Sequence, residues 1–123
     1  MILHHIGIAC KNIEKKLCLI KSMHPVLSCS EIVFDPLQDA RLCMVDVKGS
    51  HKMELIEGKP VENLVEKGIH LYHLCYEVNN IHDQIEQMTA NGGMQITPVK
   101  KAILFNNRPV VFFYTELGII EFL

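Results

Sequence analysis

The strongest constraint on the fold of this chain is an internal repeat. The segment LHHIGIACKNIEKKLCLI, which starts at Leu3, aligns without gaps with LYHLCYEVNNIHDQIEQM, which starts at Leu71, at a constant offset of 68 residues. Four positions carry the same residue in both copies: Leu3 and Leu71, His5 and His73, Asn12 and Asn80, and Ile13 and Ile81. A repeat of this length predicts that one supersecondary unit occurs twice.

Each copy contains a predicted amphipathic helix. Apolar residues at i, i+4 and i+7 form one face of such a helix, and they are Ile13, Leu17 and Ile20 in the first copy and Ile81, Ile85 and Met88 in the second. Asn12 and Asn80 directly precede these stripes, where an asparagine side chain can cap the first turn. Pro25 and the segment 91–93, Asn-Gly-Gly, predict where the two helices end.

Extended stretches rich in β-branched and aromatic residues follow each helix. They cover residues 30–35, 40–48 and 52–57 in the first copy and residues 94–100, 108–115 and 119–123 in the second. With the strand before each helix, they predict two βαβββ modules, residues 1–57 and 70–123, joined by a linker at 58–69 that contains a short polar helix. The predicted class is α+β, in one domain spanning residues 1–123.

Composition excludes several classes of function. The chain has 123 residues, of which 49% are hydrophobic and 21% charged, so it can bury a core. Its formal net charge is −2 without a basic block, so we expect no nucleic-acid partner. The longest stretch without Asp, Glu, Lys or Arg is residues 87–99, well short of the roughly 20 apolar residues that a membrane helix needs. No membrane association is expected.

The N-terminus and the cysteines indicate a cytoplasmic protein. Histidines interrupt the first apolar run and the lysines follow it, which is the reverse of a secretion signal. The five cysteines show no C-x-x-C spacing and lie mostly in apolar runs. We therefore expect reduced thiols that are mostly buried.

One histidine of each copy is placed to face a ligand. Side chains alternate along a strand, so His5 shares a face with Gly7 and Ala9, whose small size leaves room beside the imidazole. His4 lies on the opposite, bulky aliphatic face. His73 occupies the position of His5 in the second copy. Taken singly, a strand histidine is more often an ordinary core or surface residue.

A carboxylate interrupts the last apolar strand of each copy. Glu54 lies in MELI and Glu121 in IIEFL, and each follows its histidine by 49 or 48 residues. An unpaired charge buried there would be costly. Two imidazoles and two carboxylates in a common register predict a site for a divalent metal such as Ni, Co, Mn, Fe or Zn. Four ligands in an octahedral site would leave two positions open for substrate.

Arg108 is a candidate substrate-binding residue. It lies between asparagines and a proline at the start of a strand, where a guanidinium could hold a carboxylate or phosphate in a bidentate manner. Bracing of the turn and exposure to solvent are the alternatives.

The motifs HHIGIACKNI, KMELIEG, YHLCYEVNNI and GIIEFL resemble the vicinal oxygen chelate superfamily, and within it the methylmalonyl-CoA epimerase and glyoxalase I group. The resemblance implies paired βαβββ modules that form a cupped mixed sheet, with one metal ligand from the first and one from the last strand of each module. By position these are His5, Glu54, His73 and Glu121. It further implies a substrate with two adjacent oxygens, a metal-held enolate, and catalytic roles for Glu121 and Glu54.

Several activities are compatible with this resemblance. The leading hypothesis is a metal-dependent epimerase or isomerase that acts next to the carbonyl of a small molecule, such as an acyl thioester, in a homodimeric protein. Isomerisation of the lactoylglutathione lyase type is the alternative, although Glu54 is followed by Leu55-Ile56-Glu57-Gly58 and not by Leu-Thr-x-Asn. A metal-free protein that binds antibiotics and an iron dioxygenase are the others. Some epimerases have a further acid on the third strand, where this chain has Leu42.

Overall fold

The computed structural model describes residues 1–123, and its helices and strands follow the order that the repeat predicts. The first copy comprises β1 (Ile2–Ala9), α1 (Ile13–Met23), β2 (Val26–Cys29), β3 (Val33–Asp35), β4 (Ala40–Val47) and β5 (Lys52–Gly58). A 3-10 turn (Lys59–Val61) and the short helix α2 (Glu62–Glu66) follow. The second copy comprises β6 (Leu71–Glu77), α3 (Ile81–Ala90), β7 (Met94–Gln95), β8 (Lys100–Ala102), a 3-10 turn (Ile103–Phe105), β9 (Arg108–Thr115) and β10 (Gly118–Phe122).

The chain divides into two compact units, residues 5–72 and residues 73–123 together with 1–4. In the first unit β1 pairs in parallel with β5, β5 pairs antiparallel with β4, and β4 also pairs with β2 and β3. In the second unit β6 pairs in parallel with β10, β10 pairs antiparallel with β9, and β9 also pairs with β7 and β8. The two units thus share one topology, and the predicted α+β class with two βαβββ modules is confirmed.

The helices α1 and α3 begin and pack as their sequences predict. The Asn12 side chain accepts a hydrogen bond of 2.8 Å from the Lys15 amide, and the Asn80 side chain accepts hydrogen bonds from the amides of residues 82 and 83. The apolar stripe of α1 packs against Cys43, Val45, Val47 and Leu55 in the first unit, and that of α3 packs against Val111, Phe113, Ile120 and Phe122 in the second. None of the helices has the length and apolar character that a membrane crossing needs.

An ion-pair network fastens α1 to the sheet of the first unit. The Arg41 guanidinium on β4 hydrogen-bonds to Glu14 on α1 and, at 2.9 Å, to Glu57 on β5. Glu57 also accepts a 3.0 Å hydrogen bond from the Ile13 amide, at the first turn of α1. The hydrogen bond from Arg41 lowers the pKa of the Glu14 carboxyl below its usual value. Arg41 therefore links α1 to β4 and β5.

The prediction of one strand at 30–35 and one at 94–100 was wrong in both copies. In the first copy only β3 (Val33–Asp35) lies within the predicted range, and an interruption separates it from an additional strand, β2 (Val26–Cys29). In the second copy an interruption separates β7 from β8. At the first interruption the Ser30 hydroxyl accepts a 2.8 Å hydrogen bond from the Met44 amide, while the Ser30 amide donates to the Met44 carbonyl. At the second, the Thr97 hydroxyl accepts a 3.0 Å hydrogen bond from the Phe112 amide. A side-chain hydroxyl thus replaces a backbone carbonyl, and the strand can break without leaving the neighbouring amide unsatisfied.

Replacing Thr97 by valine should destabilise the chain by about 1 to 3 kcal/mol, because the buried backbone amide of Phe112 loses its acceptor while the side-chain shape is kept. Urea unfolding followed by circular dichroism measures the change. Thr89→Val, at an exposed position of α3, is the matched control and should cost much less. Equal losses for the two variants would show that the hydroxyl of Thr97 does not stabilise the break.

Candidate functional site

The first histidine–glutamate pair lies in the unit formed by residues 5–72. His5 on β1 and Glu54 on β5 come from adjacent parallel strands, and Glu54 lies opposite Gly7. The Nε2 atom of His5 is 3.9 Å from the Oε1 atom of Glu54. His5 is 0% exposed and Glu54 6% exposed. The absence of a side chain at Gly7 leaves space in which an imidazole and a carboxylate can approach across the ladder.

The second pair repeats this arrangement in the other unit. His73 on β6 and Glu121 on β10 again come from adjacent parallel strands, and Glu121 lies opposite Cys75. The Nε2 atom of His73 is 3.0 Å from the Oε2 atom of Glu121. Their exposures are 2% and 3%. The ring of Phe112 meets the His73 ring edge-on, with 5.2 Å between centroids, and so fixes the orientation of the imidazole.

Strand alternation separates the two neighbouring histidines as predicted. His5, Gly7 and Ala9 are buried, whereas His4 is only partly buried and its ring contacts Phe105 edge-on at 5.5 Å. The remaining histidines, His24, His51, His70 and His82, are exposed.

Each pair presents one imidazole nitrogen and one carboxylate oxygen from a buried position. Burying a carboxylate costs free energy unless a cation or hydrogen-bond donors compensate its charge. Imidazole and carboxylate donors are the set that zinc and the other first-row divalent metals accept. The donor chemistry of both pairs therefore fits a divalent transition metal.

The structure does not bring Arg108 to either pair. Its side chain is 44% exposed, and its Nη1 atom lies 3.4 Å from the Oε2 atom of Glu77, which is 46% exposed. The equivalent position in the first unit carries Ala40, which has no charge. Arg108 thus already has a carboxylate counter-ion.

A residue that sequence reasoning missed is Lys100 on β8. Its register partner is Val110 on β9, and its Nζ atom lies 5.8 Å from the centroid of the Phe112 ring, the ring that also contacts His73. The strand predicted at 94–100 ends at this residue, so the sequence pattern does not single out the lysine. The equivalent residue of the first copy, Val33, is apolar, and this difference between the two copies is the signal that could have identified Lys100.

No acid lies directly opposite Glu54 on the neighbouring strand. Met44 of β4 is the residue directly opposite Glu54, and Leu42, two residues away on the same face, is 2% exposed. The acid of β4 is Asp46, which lies two residues beyond Met44 on the same face and is partly buried.

The cysteines form no disulfide and lie in two environments. Cys10, Cys43 and Cys75 are buried, while Cys18 and Cys29 are exposed, so the expectation of mostly buried thiols is confirmed. Burial raises the pKa of the Cys10 thiol, and likewise that of Cys43, to about 11. A thiol with a raised pKa carries little thiolate at neutral pH and is a poor nucleophile.

Comparison with known proteins places the chain in a family. A model of the Glyoxalase/Bleomycin resistance protein/Dioxygenase superfamily matches residues 4–112, and the chain belongs to this superfamily. This confirms the resemblance seen in the sequence. His5, Glu54 and His73 lie within the matched region, and Glu121 follows it.

The similar proteins include several named as epimerases. The mitochondrial methylmalonyl-CoA epimerase of Dictyostelium discoideum is 30% identical over 122 residues, covering 93% of this chain and 70% of that protein. The crystal structure of methylmalonyl-CoA epimerase from Mycobacterium tuberculosis superposes with a TM-score of 0.80 at 15% identity, covering 98% of this chain and 85% of that chain.

Two further structures share the fold. A variant of the Streptomyces coelicolor methylmalonyl-CoA epimerase, in complex with 2-nitronate-propionyl-CoA, has a TM-score of 0.76 at 13% identity and covers 99% of this chain and 95% of its own. A hypothetical protein from Bacillus halodurans has a TM-score of 0.75 at 23% identity, with coverages of 98% and 91%. At these identities the structural likeness establishes the fold.

Alkylation of the native protein with iodoacetamide at pH 8 should label Cys18 and Cys29 quickly, and the three buried thiols only after unfolding. The reason is that burial both blocks access and, for Cys10 and Cys43, raises the pKa and so lowers the thiolate fraction. Peptide mass spectrometry of timed samples measures the labelling of each thiol. Rapid modification of Cys43 or Cys75 in the folded protein would contradict the burial described above.

Proposed function

We propose that this chain is a metal-dependent isomerase that moves a proton at the carbon next to the carbonyl of an acyl thioester, in the manner of methylmalonyl-CoA epimerase. The observation that carries the proposal is the recurrence of a buried histidine–glutamate pair on the first and last strands of both units. Membership of the superfamily and the relatives named as epimerases support it.

We further propose that the two pairs hold a single divalent ion of nickel, cobalt, manganese, iron or zinc, with His5, Glu54, His73 and Glu121 as its ligands. The proposal is supported by their donor atoms, their burial and their equivalent positions in the repeat. When bound, such an ion supplies Lewis-acid polarisation of the substrate carbonyl, which makes the neighbouring C–H bond more acidic.

Glu121 is our candidate for the base that removes this proton. Its Oε2 atom lies 3.0 Å from His73 Nε2, so the imidazole orients the carboxylate, and its burial keeps water from competing for the proton. Removal of the proton leaves a planar carbon that can accept a proton on either face. Glu54, the carboxylate of the other buried pair, is the candidate for returning a proton to the opposite face.

Isomerisation of the lactoylglutathione lyase type is the second candidate. It needs one base that moves a proton between adjacent carbons on the same face of the substrate, a role that Glu121 could fill alone. Capture of a small molecule without metal, as in antibiotic-binding members of such folds, is the remaining outcome. The homodimer, the cytoplasmic location and the single domain stay predictions, and the Dictyostelium relative is named as mitochondrial.

Protein purified without an affinity tag should contain about one equivalent of a divalent transition metal, or take it up when nickel, cobalt, manganese and zinc are offered, because four buried donors satisfy the usual coordination of such ions. Metal content by mass spectrometry should fall to background in the double variant His5→Ala, His73→Ala. The control is His51→Ala, His82→Ala, which removes two exposed histidines. A wild-type protein that takes up none of the four metals would favour the metal-free binding function.

Glu121→Gln should reduce exchange of the substrate α-proton with D2O by about 100- to 10,000-fold, since the amide cannot accept the proton. Exchange is followed by NMR on methylmalonyl-CoA and, separately, on the hemithioacetal of methylglyoxal and glutathione. Circular dichroism checks that the variant folds, and Glu116→Gln, on the exposed turn before β10, is the matched control. Undiminished exchange in Glu121→Gln would exclude Glu121 as the base, and exchange on the hemithioacetal alone would replace the epimerase by the lyase.

A further inference from the structure

Two thiols meet at the edge of the sheet in the first unit. Cys29 is the last residue of β2 and lies opposite Val45 of β4, and Cys43 lies two residues before Val45 on the same strand. Opposed residues of neighbouring strands project to the same side of a sheet, and every second residue of a strand returns to that side. The Sγ atoms of Cys29 and Cys43 are 3.3 Å apart. The two thiols are therefore in contact across the strand pair.

Ser30 holds the two thiols beside each other. Its carbonyl oxygen accepts hydrogen bonds from the Sγ atom of Cys29 at 3.4 Å and from that of Cys43 at 3.5 Å. Its amide and its hydroxyl are fixed on Met44 of β4. To form a disulfide bond, the sulfur atoms would have to approach from 3.3 Å to about 2.0 Å. Because β2 ends at Cys29, this small movement does not disturb a continuing strand.

The two thiols differ in their access to solvent. Cys29 is exposed, whereas Cys43 is buried, and burial together with the hydrogen bond to Cys29 raises the pKa of the Cys43 thiol to about 11. Cys43 is therefore slow to react with a reagent in solution. Its contact with Cys29, however, makes attack on the Cys29 sulfur an intramolecular step, which compensates for a small thiolate fraction. An exposed thiol beside a second thiol that can resolve it is typical of cysteines that undergo reversible oxidation.

The second unit has no thiols at the equivalent positions. Gln95 of β7 lies opposite Phe113 of β9, as Cys29 lies opposite Val45, and Val111 takes the place of Cys43. The strand pairing of the module therefore does not require sulfur at either position. Cys18, the other exposed thiol, lies on α1 and forms no hydrogen bond to another cysteine.

We propose that Cys29 and Cys43 form a site of reversible oxidation, at which a low-molecular-weight disulfide such as oxidised glutathione converts the two thiols into a disulfide bond that joins β2 to β4. The Cys29 thiolate attacks the glutathione disulfide, bonds to one of its sulfur atoms and releases the other as glutathione. The Cys43 thiolate then attacks the Cys29 sulfur and displaces the second glutathione. The two protein protons pass through solvent to the departing thiolates, so two protein thiols are oxidised and one glutathione disulfide is reduced to two thiols.

Peptide mass spectrometry of the full chain tests this site. Reduced protein is incubated with oxidised glutathione at pH 8, the remaining thiols are blocked with N-ethylmaleimide, and the protein is digested without reductant. The wild type should yield peptides linked through Cys29 and Cys43, and dithiothreitol should reverse the link. In Cys43→Ala the first step has no resolving thiol, so glutathione on Cys29 should rise at least about tenfold above the wild type. Cys18→Ala, which removes the other exposed thiol, is the matched control and should form the link like the wild type.

Several results would overturn the proposal. They are equal amounts of glutathione on Cys29 in the wild type and in Cys43→Ala, a link from Cys29 to any other cysteine, and oxidation of the buried Cys10 and Cys75 together with the pair, which would show that the link arises in unfolded chains. If circular dichroism shows that Cys43→Ala does not fold, Cys29→Ala provides the second test. Without its exposed partner Cys43 should stay unmodified, and glutathione on Cys43 in that variant would contradict the order of the two steps.

Discussion

Parallel pairing between the first and the last strand of each module is the constraint on which the candidate site depends. It places β1 beside β5 and β6 beside β10, and in each case it brings together residues about 48 positions apart in the sequence. A parallel pair needs a long connection between its strands, which here consists of the helix and the intervening antiparallel strands. Any change of register by one residue would turn the histidine or the glutamate to the opposite face.

The buried histidine–glutamate pairs lower the free energy of unfolding relative to apolar side chains at the same positions. His5, Glu54, His73 and Glu121 occupy buried positions that apolar side chains could fill, and each carboxylate must be compensated by an imidazole or by a bound cation. Apolar clusters beneath the helices lie on the opposite face in each unit, where the helix packs against alternate residues of the strands. The face with the histidine–glutamate pairs also buries apolar residues, among them Cys75 and Val110, so both faces contribute to the free energy of folding.

Much of this organisation could be predicted from the sequence because the repeat tests each assignment twice. The helical stripes, the Asn12 and Asn80 caps and the facing of His5 follow from local periodicity, and all are present in the structure. The broken strands could not be predicted, since the hydroxyls of Ser30 and Thr97 act through partners 14 and 15 residues away. Lys100 could not be predicted for the same reason, because the interruption between β7 and β8 determines which residues of β9 lie beside it.

The hydroxyl at each break also has an evolutionary consequence. At such an interruption, residues of the segment between the two short strands can be inserted, removed or exchanged while the hydrogen bonds of the adjacent strand are kept. The short strand after the interruption carries Val33 in the first copy, on β3, and Lys100 in the second copy, on β8. A duplicated module with such interruptions can diverge in its ligand preference at one short strand. The strands that carry the histidines and glutamates remain constrained by their parallel pairing.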